Sequence, residues 1–397
     1  MKPFEGIKVL EFSTMVTASF SAMMLADQGA QVIKVEPIEV GDPMRFLGTS
    51  KGGISALFAN CNRGKRSLRL DIKSDEGRKV IEQLAAETDI VLTNYRPGVM
   101  DNLGLGSEHL RSINPRLIFG AVSGFGTEGP LSSAPAYDPI IQSEAGFGAV
   151  QGQGKGEPEL VRTLMCDKIT AYTIAQAVSA ALYVRERTGE GQHIDLSMMD
   201  AGLYFLFPDG FMHETLLDDE GVEHQPPISE LLYDLTETAD GAVTVSAATP
   251  AQQVGLMTAI DRLELFADPR FDSMENIIKN IADLRAEMQA TMGTFETEAL
   301  LAALRENDVP AARPLSYDEV LNHPQYAAND SIDTATHPIL GGMRRVKPPA
   351  HFGGDRLEPA ADAAAHGQHT AEILAELGFD AAAVKAMLEA GTAASDS

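Results

Sequence analysis

The sequence predicts an α/β fold, a doubly wound parallel sheet accompanied by a smaller α+β domain. Strand-length apolar runs alternate with helical patterns between Ile7 and Leu196. The texture changes after Pro208, and a segment rich in Pro, Gly and Ala runs from Pro338 to Glu376.

The apolar run at 7–12 suits a buried parallel strand. Helical periodicity over 18–28 ends at Gly29, a natural residue just past a helix end. A second strand at 31–36 is stopped by Pro37, which completes a βαβ unit. The pattern recurs as a helix over 75–88, strands at 89–92 and 117–122, a long alanine-rich helix running to Gly189, and a strand at 193–196. Beyond Pro208, Asp218 to Gly221 and Pro226-Pro227 read as a surface connection. Runs at 231–236 and 242–247 around Ala239-Asp240-Gly241 suggest a hairpin. Helical patterns at 277–292 and 295–306 complete a small domain ending near Leu315. The 338–376 segment reads as a long irregular stretch. A terminal helix over about 380–389 precedes a disordered tail of small and polar residues.

With 397 residues, 44% of them hydrophobic, the chain can bury two cores. No apolar stretch is long enough to span a bilayer, and the N-terminus enters a strand without a signal-peptide core. Two cysteines make no disulfide framework, so a reducing cytoplasm is the expected home. A net charge of −26 argues against a nucleic-acid partner, since phosphate binding needs a basic face. It leaves room for a small anion bound by locally gathered cations.

Common signatures are missing or incomplete. The first βα turn, Phe12 to Ala18, contains no glycine, so the dinucleotide fingerprint is absent. Gly64-Lys65-Arg66-Ser67 resembles the tail of a phosphate loop but lacks the upstream glycine, and reads better as a basic strand entry. His366 and His369 have no thiolate or carboxylate cluster to make a metal site, and no nucleophile elbow occurs. Asp167 opens the long helix and by itself reads as an N-cap. Cys166 is a rival nucleophile because a helix N-terminus lowers a thiol pKa, although a small buried hydrophobe fits it better.

Several ordered segments narrow the function. They are Ile7 to Phe12 with Ala18 to Glu36, Asn62 to Lys73, Asn94 to Met100, Ser123 to Gly126, Ala136-Tyr137-Asp138-Pro139 and Thr188 to Gln192, with Asp167 between the last two. In this order and at these separations the chain resembles the family III CoA transferases over nearly its whole length. The resemblance implies an interlocked homodimer. Each large Rossmann-like domain would be built from both chain ends (1–207 and 330–397), with a small domain (225–315) between them. It implies an acyl-CoA and a small carboxylic acid as substrates, without NAD or metal. CoA is expected against Leu70, Asp71, Lys73, Asn94, Tyr95 and Arg96. Val16 and Thr17 would lie near the thiol-bearing arm, Asn102 and Tyr137 would also be at the site, and Asp167 would be the nucleophile. Lys73 and Arg96 are cations suited to phosphate.

Pro37 and Asn102 stand where formyl-CoA transferases carry arginines, and Pro135 where they carry a lysine; Lys34 and Arg45 are candidate substitutes. The glycine run that closes over the site in those enzymes is replaced near Ala247-Ala248-Thr249-Pro250. The α-methylacyl-CoA racemase branch needs a His and a Glu as bases, and those positions hold Tyr137 and Thr249. A tyrosine with a pKa of about 10 is a poor base. The reading is therefore a CoA transferase. A racemase-like isomerase and a non-catalytic acyl-CoA-binding homologue are the alternatives.

Overall fold

The computed structural model describes residues 2–152, 156–218, 220–223 and 233–395. These form two compact units. The larger contains 1–151, 158–208 and 324–397, and the smaller contains 152–157 and 209–323.

The larger unit is organised by a seven-stranded sheet. Its strands are β1 (Lys8–Phe12), β2 (Gln31–Glu36), β3 (Lys65–Leu70), β4 (Ile90–Thr93), β5 (Ile118–Ser123), β6 (His193–Ser197) and β7 (Ala393–Ala394). Their order is β7-β3-β2-β1-β4-β5-β6. The first six strands are parallel and follow the doubly wound order, which reverses direction between β1 and β4. Strand β7 pairs antiparallel with β3, Ala393 lying opposite Leu70. Part of the tail expected to be disordered thus closes an edge of the sheet, and Ala393 is buried there.

Helix α1 (Thr17–Asp27) returns from β1 to β2, and α2 (Asp75–Ala86) starts at Ser74, whose hydroxyl accepts from Gly77 N. Helix α3 (Asp138–Glu144) and the long helix α4 (Met165–Thr188) carry the residues of interest. Helix α4 stops at Gly189, whose φ of 81° costs a glycine little. The core joins Leu10, Phe12, Val35, Leu68 and Val91 to residues of α2 and of the last two helices, Thr370–Glu376 and Ala381–Glu389. The stretch expected to be irregular from Pro338 is shorter than that. A hairpin pairs Ile332–His337 with Gly341–Val346, and helix Thr370–Glu376 occupies its end.

The smaller unit has a three-stranded antiparallel sheet, Thr236–Glu237, Ala242–Val245 and Ala311–Ala312, with Ala242–Val245 central. The hairpin is real but shorter than its apolar runs, and Leu231, Leu232, Asp219, Pro226 and Pro227 lie outside the described residues. The helical pattern at 277–292 is divided at Asn280 into Met274–Lys279 and Ile281–Met292. Val243, Leu256, Ile260, Leu300 and Leu304 form this unit's core.

Candidate active site

In an open parallel sheet, ligands bind beyond the carboxyl ends of the strands where the strand order reverses. A cavity of about 690 Å³ lies there. Its walls come from the segments after β1 (Thr14, Met15, Thr17), β4 (Asn94 to Pro97), β5 (Gly124) and β6 (Met198), and from Tyr137, Asp138, Leu164 and Asp167. A second cavity of about 370 Å³ adjoins it and shares Pro37, Tyr95 and Val99. It is lined by Leu70, Asp71, Ile72 and Lys73 after β3, and by Gly391.

The expected site residues therefore fall into two neighbouring hollows. Thr17, Asn94, Tyr95, Arg96, Tyr137 and Asp167 line the first, while Leu70, Asp71, Lys73 and Tyr95 line the second. Val16 lines neither, because it is buried against Met44, Ile54 and Phe58. Asn102 sits exposed at the end of helix Val99–Asn102 and also lines neither. Tyr137 is 65% exposed.

Asp167 is not an N-cap. Leu164 holds that position, and Asp167 is the third residue inside α4. Its own backbone N–H, one of the orphan donors of a helix start, is satisfied by Asp138 Oδ2 at 2.9 Å. The other oxygen, Asp138 Oδ1, accepts from Gln142 Nε2 at 2.5 Å. Gln142 in turn bonds Val161 and Thr163, fixing the segment that leads into α4. Asp138 and Gln142 thus join the candidate site, although the sequence does not single them out. Asp138 stood inside a quoted motif, but nothing in the sequence shows that its carboxylate reaches a backbone N–H 29 residues on.

That proximity governs the electrostatics. Asp167 is 8% exposed. Burial, then the charge of Asp138, push its carboxyl up to about 7, against the lowering influence of Lys168. The helix N-terminus favours an anion by only about 0.3–1 kcal/mol at exposed sites, and here it is outweighed. Cys166 behaves the same way: burial and the two aspartates push its thiol up to about 12, so it is no thiolate nucleophile at neutral pH.

Lys34 and Arg45 are not free to grip phosphate. Lys34 is fully buried and pairs with Glu11 at 2.7 Å and Asp42 at 3.0 Å. Arg45 forks onto Glu36 and stacks on Phe58, 3.8 Å from the ring centre. Lys65, inside the phosphate-loop-like segment, is buried against Glu11 at 2.7 Å. By contrast, Lys73 and Arg96 are exposed on the cavity walls and have no ion-pair partner among the described residues.

The first βα turn gets its shape without glycine. Met15 takes φ 60°, a left-handed conformation unusual for a residue with a side chain. Asn94 clamps Thr14 through both its N–H (3.0 Å) and its carbonyl (2.6 Å), and reaches Thr17 Oγ1 at 2.9 Å. Its amide thus holds the turn.

The chain matches CoA-transferase family III over residues 4–370. It belongs to that family. It is 31% identical to the formyl-CoA:oxalate CoA-transferase of Escherichia coli, over 97% of this chain and 98% of that one. It is 32% identical to the acetyl-CoA:oxalate CoA-transferase of Acetobacter aceti, over 83% and 85%. The crystal structure of a Mycobacterium tuberculosis relative, named a probable fatty acyl-CoA transferase, superposes with a TM-score of 0.82 at 29% identity, covering 94% of this chain and 99% of that one. A CaiB/BaiF family protein from Brucella suis gives 0.81 at 30% identity, covering 95% and 99%. Like these proteins, the family III enzyme described here has a mixed α/β fold with a large parallel sheet. Among its described residues no helix is long and apolar enough to cross a membrane.

Proposed function

We propose that this family III CoA-transferase moves CoA from an acyl-CoA to a small carboxylic acid, with Asp167 as the covalent nucleophile. The observation that carries this reading is a buried carboxylate, raised to about 7, at the wall of the cavity where the strand order reverses. About half of such groups are ionised at neutral pH, and each anion is stripped of most of its water.

An Asp167 oxygen attacks the thioester carbonyl of the donor, the C–S bond breaks, and CoA leaves as thiolate. The thiolate attacks Cγ of the mixed anhydride, expelling the donor carboxylate and leaving an aspartyl–CoA thioester. The acceptor carboxylate attacks Cγ and displaces the thiolate. The thiolate then attacks the acceptor's acyl carbon, which frees the product thioester and the Asp167 carboxylate. No external acid, base or oxidant enters the balance.

CoA would run from the larger cavity into the smaller one, its phosphates facing Arg96 and Lys73 and its nucleotide against Leu70, Asp71 and Tyr95. The names of the two oxalate-transferring relatives suggest a small acid as acceptor, while the relatives' names divide between short and fatty acyl donors. The reading includes a large domain drawn from 1–207 and 330–397, an inserted domain at 225–315, and a homodimer. Exposed Tyr183 on α4, and Tyr204 and Phe205 on helix Met198–Gly210, support a second copy of the chain as partner. Racemase chemistry is less well served. Tyr137 is exposed, and the Thr249 hydroxyl accepts from Gln252 N in a capping box.

The test is peptide mass spectrometry after incubation with a panel of acyl-CoAs and a hydroxylamine quench. A hydroxamate on Asp167, absent in Asp167→Asn, is the expected result. Exchange of the α-proton with deuterated water, without any adduct, would replace the transferase reading with the racemase one. CoA binding without adduct or exchange would make the chain a binding protein.

A further inference from the structure

We propose that Asp42 is a positioning residue for the thioester end of the cavity, acting through the backbone of Met15. This rests on the CoA reading of that cavity.

Asp42 is fully buried, and its two oxygens are divided between two tasks. Oδ1 accepts from Met15 N at 3.1 Å and from Met44 N at 2.9 Å. Oδ2 pairs with Lys34 Nζ at 3.0 Å. Lys34 is itself fixed, donating to Glu11 Oε1, to the Ser13 carbonyl and to Ser19 Oγ. Asp42 therefore connects a rigid buried ion pair to the one residue of the first βα turn with positive φ. A left-handed conformation at a residue with a side chain is costly and persists only where its surroundings enforce it. The enforcing groups are Asp42 on one side and Asn94 on the other. Met15 lines the cavity that Asp167 lines, and its side chain packs in one cluster with Leu164, the residue at the start of α4. Releasing the turn would alter the part of the cavity wall that Met15 forms, while breaking no hydrogen bond of Asp167.

The decisive variants separate the conformational role from simple structural support. Asp42→Ala should weaken CoA binding, measured by calorimetry, by about tenfold, the equivalent of the left-handed penalty. Adding Met15→Gly to that variant should recover most of the loss, because glycine adopts positive φ without enforcement. Adding Met15→Ala, which also removes the side chain but keeps the penalty, should recover none of it. If Asp42→Ala does not fold, the intact network offers the same test. There Met15→Val should weaken CoA binding more than Met15→Gly, since a β-branched residue suits positive φ worst. Unchanged affinity in folded Asp42→Ala, or equal effects of glycine and alanine at position 15, would overturn the proposal. A wild-type protein that binds no CoA would overturn the site reading and this inference with it.

Discussion

Two groups of buried charges in the larger unit are built in opposite ways. Beneath β1, β2 and β3, the carboxylates of Glu11, Glu36 and Asp42 face the cations of Lys34, Arg45 and Lys65, three against three. At the start of α4, Asp138 and Asp167 lie side by side with Lys168 as the opposing charge. Both places are desolvated, and burial outweighs the pairing at Lys65, lowering its ammonium to about 8, yet the carboxylates of the two groups respond in opposite ways. Burial raises Glu36 and Glu11, but Arg45 and the two lysines more than compensate, holding Glu36 down at about 2 and Glu11 below the usual range. Burial lowers Lys34, and Glu11 with Asp42 reverses it, so that its ammonium is held above its ordinary range. At Asp167 burial and the neighbouring acid act in the same direction, and the carboxyl rises to about 7. The balanced group holds the strands and the first βα turn. The unbalanced pair leaves one carboxylate poorly solvated with a raised pKa, the kind of perturbation that marks a candidate site for chemistry.

The largest effect should come from removing the unbalanced charge. Asp167→Asn should lower transfer by on the order of 10⁴-fold or more while leaving CoA binding in place. It should also stabilise the protein. An acid whose folded pKa of about 7 exceeds its ordinary 3.8 favours folding fully below that lower value and loses the advantage as pH rises through 7. At about 1.4 kcal/mol per tenfold change in proton affinity, the gain above pH 7 has an upper bound of roughly 4 kcal/mol. Thermal melting at pH 8 and pH 5 checks the sign, with the larger gain expected at pH 8. The balanced group should respond in the opposite way. Lys34→Met leaves Glu11 and Asp42 without their shared cation and should cost about 3–5 kcal/mol in urea unfolding.

Smaller effects sharpen the contrast. Asp138→Asn removes the second cause of the raised pKa, so the pH midpoint of adduct formation at Asp167 should move down from about 7. Burial, the first cause, remains and should keep it above the ordinary carboxylate value. Lys73→Ala and Arg96→Ala should each raise KM for acyl-CoA by roughly 3–10-fold, less at high salt, because both cations are exposed. Cys166→Ala should change the rate by about twofold or less, since a thiol held near 12 supplies no thiolate at neutral pH.

Much of the frame could be read from the chain because β1, β2, β4 and β5 are rich in apolar residues. Strand β3 was harder. Lys65, Arg66, Ser67 and Arg69 disguise it, and Lys65 and Ser67 are buried only because Glu11 and Glu36 receive them from other strands. The same long-range pairing hid the true role of Lys34 and Arg45, which looked like free cations. Ala393 and Ala394 carry no strand signal of their own, and the edge of β3 supplies the template. The places of Lys73 and Arg96 on the cavity walls were legible because both residues sit in segments whose order is distinctive, and that of Asp167 because it falls between two of them. Asp138 was not, because its importance lies in the contact between α3 and α4.

The most direct measurement is titration of Asp167 itself, following its side-chain carboxyl carbon by NMR in wild-type protein and identifying the signal by its loss in Asp167→Asn. A midpoint near 7 would show that burial and Asp138 leave this carboxylate uncompensated. A midpoint near 4 would mean that the site neutralises Asp167 as the buried ion pairs neutralise Glu36, and the contrast drawn between the two groups would be wrong.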